Sequence, residues 1–551
     1  MKQIALVYKC LMCLVLCVTF SSCSDDDNGV DNTALSLLSY TPELGGNIST
    51  EGTIELTFSK AVRQAPNTVI ALNNTPVRII ITDNVVRVHY SFPLADRIEL
   101  DIPQGALTDM SGAQQFEGLN LQYDIKLESR LFNAIVDASA QEDKANGIFN
   151  TVTDAINMAP SKAESPYLIF VTNGTYNEMI TVNKPYIHLI GQSRDGVKIQ
   201  FLANRVKKTT DAIAWPYSVH NPASPACQAG YTASNEAVFL IKSNDFHAEN
   251  ISFINLYGAL ASRYEGGMGA NGQADAMMTR ADRISFYNCR MVSFQDTWRV
   301  RNNKSDSWKG LNNRNYADNC WIEGKTDYLY GSGNLLVENS TFFNVAYGSV
   351  MTAGSHYEGT TWGHIMKNCT VDGIPEAEGT VTFGRPWQGT PISVWINTTC
   401  KINMDPTGWL DMSGTPPYLF GEYNTVDAQG IPVDTSKRKH TFKDNSSETG
   451  TKECNVLLTK EETDKYTYEA MVMDTDNWDP KSYYETDKLP AITPALDGNV
   501  LIWDGLNKAI CYLVFHNGKF VAQTAETTYS VSDNGGTWTV RAVNKYGSLG
   551  E

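Results

Sequence analysis

The sequence predicts an all-β protein: a parallel β-helix through the centre of the chain, flanked by small β-sandwich modules. Three observations predict it. Near both ends, short segments alternate apolar and polar residues between turn residues, at 54–58, 85–90 and 98–102, and again at 500–503, 511–515 and 538–543. Through the middle a motif recurs: Asn, then a small residue or Cys, then an apolar strand. It stands at Asn288-Cys289, Asn319-Cys320, Asn339-Ser340, Asn368-Cys369 and Asn397-Thr398, and with Ile in second place at Asn250-Ile251. The intervals are a few tens of residues, as expected when coils of short strands stack on one another and Asn side chains form hydrogen-bonded ladders at equivalent turns.

Taken in order, Lys2 and Lys9 precede an apolar run from Cys10 to Thr19, too short to span a bilayer and typical of a secretion signal over residues 1–22. Small residues before Cys23 resemble a lipoprotein cleavage site. The Ser-Asp-Asp-Asp run after it, within an acidic tether over 23–34, resembles the export tag of surface lipoproteins. Cys23 is therefore the expected lipidation site, and an outer-membrane, surface-exposed lipoprotein the expected location. Residues 35–126 carry the first set of alternating strands. There, Pro103-Gln104-Gly105-Ala106-Leu107-Thr108-Asp109 followed by Ser111-Gly112 resembles bacterial Ig-like modules, here a spacer. The β-helix is expected over 127–487. It opens with a helix start at 149–156 and a strand at 167–171, and closes with the capping box Thr459-Lys460-Glu461-Glu462 leading to Tyr466, Ala470 and Met473 on one face. Residues 488–551 return to strands and end in a segment like the last strand of a fibronectin-III module.

A net charge of −17 speaks against nucleic acid as a partner, because phosphate contacts need basic patches. No His/Cys/Asp/Glu cluster has metal-ligand spacing, so no metal or other cofactor is expected. No G-x-S-x-G elbow is present, which leaves a serine triad without a candidate.

Two stretches concentrate the chemistry. Ser293-Phe294-Gln295-Asp296-Thr297 and Gly324-Lys325-Thr326-Asp327-Tyr328-Leu329-Tyr330-Gly331 each set one Asp among apolar, aromatic and small residues. Facing carboxylates push their pKa values apart, making one an acid and the other a nucleophile. Phe383-Gly384-Arg385-Pro386-Trp387 supplies a cation to hold one of them ionised. These three segments, in this order, resemble the pectin methylesterase family, and Gly174-Thr175-Tyr176-Asn177-Glu178 matches its Gly-x-Tyr-x-Glu turn.

The resemblance implies a right-handed β-helix that hydrolyses the methyl esters of homogalacturonan, releasing methanol and pectate. It implies Asp327 as nucleophile, forming an acyl-enzyme anhydride, and Asp296 as proton donor to methanol and then base for water. Arg385 is expected to hold the pKa of Asp327 low. Gln273 and Gln295 are expected to donate to the oxyanion, and Trp387, Tyr328 and Tyr330 to offer faces to sugar rings. Cys289 and Cys320 match positions that pair in part of the family, which implies a disulfide; buried free thiols are the alternative. Cys369 and Cys400 repeat the separation of 31 residues, as stacked coils do. The partners expected are methyl-esterified pectin and, through the lipid, a membrane; the chain is expected to be a monomer. The acidic chain has no long-range attraction for demethylated pectin, while an esterified polymer meets no repulsion.

Two departures bear on substrate preference. A polar insertion lies around residues 302–313, expected at the cleft rim, and Asp275 replaces an apolar residue beside Gln273. Alternative readings are another β-helix pectin enzyme, a lyase needing an acidic calcium site or a polygalacturonase needing clustered carboxylates, and a non-catalytic surface glycan binder.

Overall fold

The computed structural model describes residues 33–551 except 46–47, 93–96, 126, 164, 202, 204–236, 258–272, 302–312 and 534. The signal segment, Cys23, most of the tether, Cys227 and most of the polar insertion lie outside these residues.

The chain divides into two compact units at Lys126/Leu127. In the first, two four-stranded antiparallel sheets are built from strands that include Glu51–Phe58, Val85–Ser91 and Arg97–Ile102. Alternation places Ile54, Leu56, Phe58, Val86, Val88, Ile98 and Leu100 in one core, as period two requires.

The second unit is a parallel β-helix. Among the described residues its strands form three long parallel sheets of eleven, nine and seven strands, and successive coils contribute one strand to each. One coil runs Ile284–Tyr287, Arg290–Val292, Trp298–Val300; the next runs Arg314–Asp318, Trp321–Gly324, Thr326–Gly331; the next runs Asn334–Glu338, Thr341–Asn344, Val350–Gly354. Inside the coils Phe253, Phe286, Trp298, Leu329, Met351 and Phe383 form part of one continuous core. Each large side chain buried this way contributes roughly 1.5–3 kcal/mol relative to exposure.

The recurring Asn residues turn the first strand of each coil into the second. Asn250, Asn288, Asn319, Asn339, Asn368 and Asn397 all have φ between 49° and 58°, and Asn424, absent from the predicted set, joins them at 53°. Asn tolerates this left-handed conformation at low cost. The expected ladder exists but is interrupted. Asn288 Nδ2 donates to Asn250 Oδ1 (2.7 Å), Asn397 to Asn368 (3.0 Å) and Asn424 to Asn397 (2.9 Å), while Asn339 donates instead to Asp318 Oδ1 (2.8 Å).

Helix Val152–Met158 caps the open first coil, with Thr151 as its N-cap. Glu178 of the Gly-x-Tyr-x-Glu turn accepts from the backbone of Val152 and Thr153, so its charge sits on a helix N-terminus. At the far end the capping box forms, but its helix is only Lys460–Thr463. A π-helical turn, Glu469–Met473, follows, and the buried face is Tyr466, Tyr468, Met471 and Val472. Ala470 is exposed, since the change in helical period rotates the expected face away.

The last strands, among them Ala509–His516 and Trp538–Asn544, belong to the same compact unit as the β-helix. Ile510, Leu513, Phe515 and Val543 share a core with Ile135, Leu168, Phe170 and Ile190 of the first coils. His188 Nδ1 lies 2.8 Å from the carbonyl of Tyr546. The C-terminal strands thus dress the flank of the helix.

The expected Cys289–Cys320 disulfide is not formed; both are buried free thiols. Their strands do stack, Arg290 opposite Trp321, but each sulfur lies near backbone carbonyls: Cys289 3.5 Å from those of Ala248 and Tyr287, Cys320 3.3 Å from that of Asp318. Burial pushes the Cys320 thiol up to about 12. Cys369 and Cys400, by contrast, are not equivalent positions: the strand register sets Cys400 opposite Val371, so their shared spacing is accidental.

Candidate active site

The seven-stranded sheet carries the site on its outer face. Backbone bridges link Gln273 to Gln295 and Gln295 to Thr326, so Gln273, Gln295-Asp296 and Thr326-Asp327 stack on three successive coils. Pairing of Trp298 with Leu329 keeps Asp296 and Asp327 at the same step of adjacent strands, roughly 4.8 Å apart along the backbone stack. Both aspartates have positive φ, 64° and 51°. Between Thr326 and Leu329 the strand takes three steps while its neighbour takes two, from Val350 to Thr352. This bulge re-aims the Asp327 side chain, a known use of an extra residue beside functional sites. Two non-glycine residues held left-handed cost on the order of 1–3 kcal/mol each, so surrounding structure must over-determine them.

Both carboxylates are close to fully enclosed, at 6% exposure each. Arg385 grips Asp327 with both arms of its fork: Nε donates to Oδ1 at 2.8 Å and Nη2 to Oδ2 at 2.7 Å. The expectation that this pair holds Asp327 low is corrected. Burial pushes its carboxyl up from the ordinary value, and Arg385 opposes that without reversing it. Burial likewise opposes charge on Arg385, but the bonds and charge of Asp327, with a smaller contribution from Asp296, carry its pKa up. Both partners gain from the pairing, and only for the carboxylate does desolvation win.

Arg385 reaches Asp327 because Gly384 lets its strand lie close to the preceding coil. A Cβ on Gly384 would stand 2.1 Å from Thr352 Oγ1, and Thr352 O accepts the Arg385 backbone N–H at 3.0 Å. Gln273 and Gln295 are half-buried beside the aspartates.

Trp387 and Tyr330 lie side by side with ring centroids 5.8 Å apart, and both line a cleft of ≈ 250 Å³. Tyr328 does not join them. It is 0% exposed, inside the helix, with its hydroxyl donating to Asn344 Oδ1 at 3.2 Å. Strict alternation would put residues 328 and 330 on one face; the bulge turns Tyr328 inward.

The structure adds a group that the motifs do not mark. Arg299 Nε donates to the hydroxyl of Tyr330, which donates to Asp275 Oδ1 at 3.1 Å, and Arg299 Nε lies 3.4 Å from Asp275 Oδ2. The unusual Asp275 is the counter-ion of a buried arginine. The signal was present in sequence as a charge beside Gln273 and an Arg two residues beyond Thr297, but nothing in either segment paired them. Of the insertion expected at the rim only Asn313 is described; the strand Trp298–Val300 precedes the insertion and the strand Arg314–Asp318 follows it. Among the described residues no cluster of His, Cys, Asp or Glu is arranged to hold a metal ion.

The family model described as Pectinesterase matches residues 220–472, which contain every residue placed in this site. A probable pectinesterase A of Neosartorya fischeri is 30% identical over 319 residues, covering 57% of this chain and 84% of that protein. The chain belongs to the pectinesterase family. Probable pectinesterase 49 of Arabidopsis thaliana is 25% identical, covering 50% of this chain and 67% of the plant protein. Among solved structures, the pectin methylesterase of Erwinia chrysanthemi is similar at 21% identity and a TM-score of 0.47, covering 63% of this chain and 98% of its own. The carrot pectin methylesterase is similar at 21% and 0.47, covering 62% and 94%.

Proposed function

We propose that this pectinesterase hydrolyses the methyl esters of homogalacturonan through an aspartyl acyl-enzyme, with Asp327 as nucleophile and Asp296 as acid and base. One observation carries the assignment of roles: Arg385 forks Asp327, so of the two stacked carboxylates Asp327 is the one provided with a fixed cation. An ionised Oδ of Asp327 adds to the ester carbonyl. Charge develops on the carbonyl oxygen, where the side-chain amides of Gln273 and Gln295 donate. Collapse breaks the bond to methoxide as Asp296 gives it a proton, leaving methanol and an anhydride on Asp327. Asp296, now ionised, takes a proton from water, and the hydroxide formed adds to the galacturonyl carbonyl of the anhydride. Breakdown restores the Asp327 carboxylate and releases a galacturonate unit. Trp387, with Tyr330 beside it, offers an aromatic wall for the sugar.

Methanol release from esterified pectin tests the reading directly, because a lyase, a polygalacturonase or a glycan binder would release none. Asp327→Asn keeps size and shape but removes the nucleophile, so release is expected to fall by several orders of magnitude. Asp296→Asn is expected to lose about 10²–10⁴, the range for general acid catalysis. A folded Asp327→Asn protein with near-normal release would move the nucleophile elsewhere.

The N-terminal segment supports a further reading, that of an outer-membrane lipoprotein lipidated at Cys23 and displayed at the surface as a monomer, with the first unit an Ig-like spacer. Support comes from the small residues before Cys23 and the acidic run after it. Among the described residues no helix is long and apolar enough to cross a membrane. Cys23→Ala is expected to free the protein from membranes, and continued tight association would point to another anchor.

A further inference from the structure

Asp327 stands on a bulge, and something must hold the bulge in shape. Between Thr326 and Leu329 the strand carries two residues, Asp327 and Tyr328, opposite the single Met351 of its neighbour. The two point opposite ways. Asp327, at a φ of 51°, is gripped on the outer face by Arg385. Tyr328 lies inside, in the core shared with Phe342, Met351 and Trp395, and its hydroxyl donates to Asn344 Oδ1 at 3.2 Å. A bare ring would fill that core. A hydroxyl there is costly unless it is hydrogen-bonded, so the bond to Asn344 dictates where the ring stands.

Asn344 is held in its turn. It is wholly buried, and its Nδ2 donates to the carbonyls of Asp372 at 2.9 Å and of Phe342 at 3.4 Å. The strand register sets it between Gly324 on one neighbouring coil and Gly373 on the other. Both glycines make room for the pair. A Cβ on Gly324 would press into Cβ of Tyr328, and one on Gly373 would stand 3.0 Å from Cβ of Asn344. Other neighbours of the site residues are tied to an adjacent coil in the same manner. Ser293 Oγ donates to the carbonyl of Ala274, next to Gln273, at 2.5 Å, and Thr297 Oγ1, next to Asp296, donates to that of Glu323 at 2.8 Å.

Resting on the pectinesterase reading with Asp327 as nucleophile, we propose that Tyr328 and Asn344 are positioning residues. The hydrogen bond between them, inside the helix, fixes the bulge and so sets Asp327 in the Arg385 fork and at the ester carbonyl. Both are wholly enclosed, so neither touches the sugar. Without the bond the bulge loses its inner anchor and Asp327 shifts against the fork. The loss then falls on attack, which depends on alignment, and not on substrate binding.

The test is the pH profile of methanol release from esterified homogalacturonan by Tyr328→Phe, which deletes one oxygen and keeps the ring. Its kcat is expected to fall about tenfold, the size of one hydrogen bond, with KM within about twofold. A looser grip by Arg385 should also move the acid limb of kcat/KM to higher pH. Asn344→Ser, whose hydroxyl is too short to reach that of Tyr328, should move kcat and the limb the same way. Combining the two should add little, because both break one bond. Urea midpoints establish that the variants are folded. A merely structural role would lower those midpoints and leave the limb in place. An unmoved limb, an unchanged kcat in Tyr328→Phe, or additive losses in the double variant would overturn the positioning role and leave the esterase reading intact. No methanol from the wild-type protein would overturn both.

Discussion

Asp327 is pulled two ways, upward by enclosure and downward by the Arg385 fork, and enclosure prevails. In its proposed role as the attacking group it must be ionised, so activity is expected to rise with pH as its proton is lost. Because burial raises its pKa, the acid limb of kcat/KM is expected above the pH at which an ordinary Asp ionises. Arg385→Lys replaces two bonds by one point charge and weakens the only named opposition to burial. The acid limb should therefore move to higher pH, with a lower plateau. A limb that stayed in place, or moved to lower pH, would show that Arg385 does not govern this carboxylate. The five residues Gln273, Gln295, Asp296, Asp327 and Arg385 were legible in sequence because each lies in a distinctive segment. Tyr328 was misplaced because a one-residue bulge is not visible in a pattern of alternation. Arg299 was missed because its meaning depends on Asp275, which reaches it only through the stacking of coils.

The elements that hold these residues are short strands whose order is set by their turns. The left-handed Asn positions mark the first turn of each coil, which is why the β-helix could be read from the chain. The ladder's break at Asn339 could not be, since it depends on the Asp318 side chain competing for the same amide. Close approach between coils was equally invisible. Gly384 is the clearest case, with no room for a methyl group beside Thr352. Gly384→Ala would push apart the strand ending in Gly384 and the one carrying Thr352, taking the Arg385 backbone with it. A misplacement of about 1 Å costs on the order of 10²-fold in rate. Methanol release should drop by about that factor, in a protein that still shows β-rich circular dichroism. Gly379→Ala, where no atom lies within 4 Å of the added carbon, bears a φ of 70° without the clash and should leave the rate within a few fold. Equal losses in the two variants would mean that the approach of the two strands is not what seats Arg385.

At the scale of the whole molecule, the site lies within the second compact unit, so a chain lacking residues 1–126 should keep its rate of methanol release. A folded but inactive truncated protein would assign the first unit a part in catalysis. The second unit is also expected to be sensitive to acid, for a reason that no motif announced. Burial holds His188 and His364 well below the ordinary imidazole value of 6.5, and His356 at about 3. His364 has no hydrogen-bond partner for either ring nitrogen among the described residues. All three stay neutral in the folded protein at pH values where the unfolded chain binds a proton. With folded values depressed, stability is complete above pH 6.5 and is lost as pH falls toward the folded values. Each group removes up to about 1.4 kcal/mol per pH unit in that window. Urea midpoints of the truncated protein should therefore fall steadily between pH 7 and pH 5, above the range where paired carboxylates such as Asp476, held low by Arg314, begin to protonate. His364→Leu removes one of the three groups and sets an apolar side chain of similar size beside His356. Its stability should depend less steeply on pH by about one proton's worth. Midpoints that stayed level from pH 7 to pH 5, or a slope unaltered by His364→Leu, would place the acid sensitivity of the fold in its carboxylates instead.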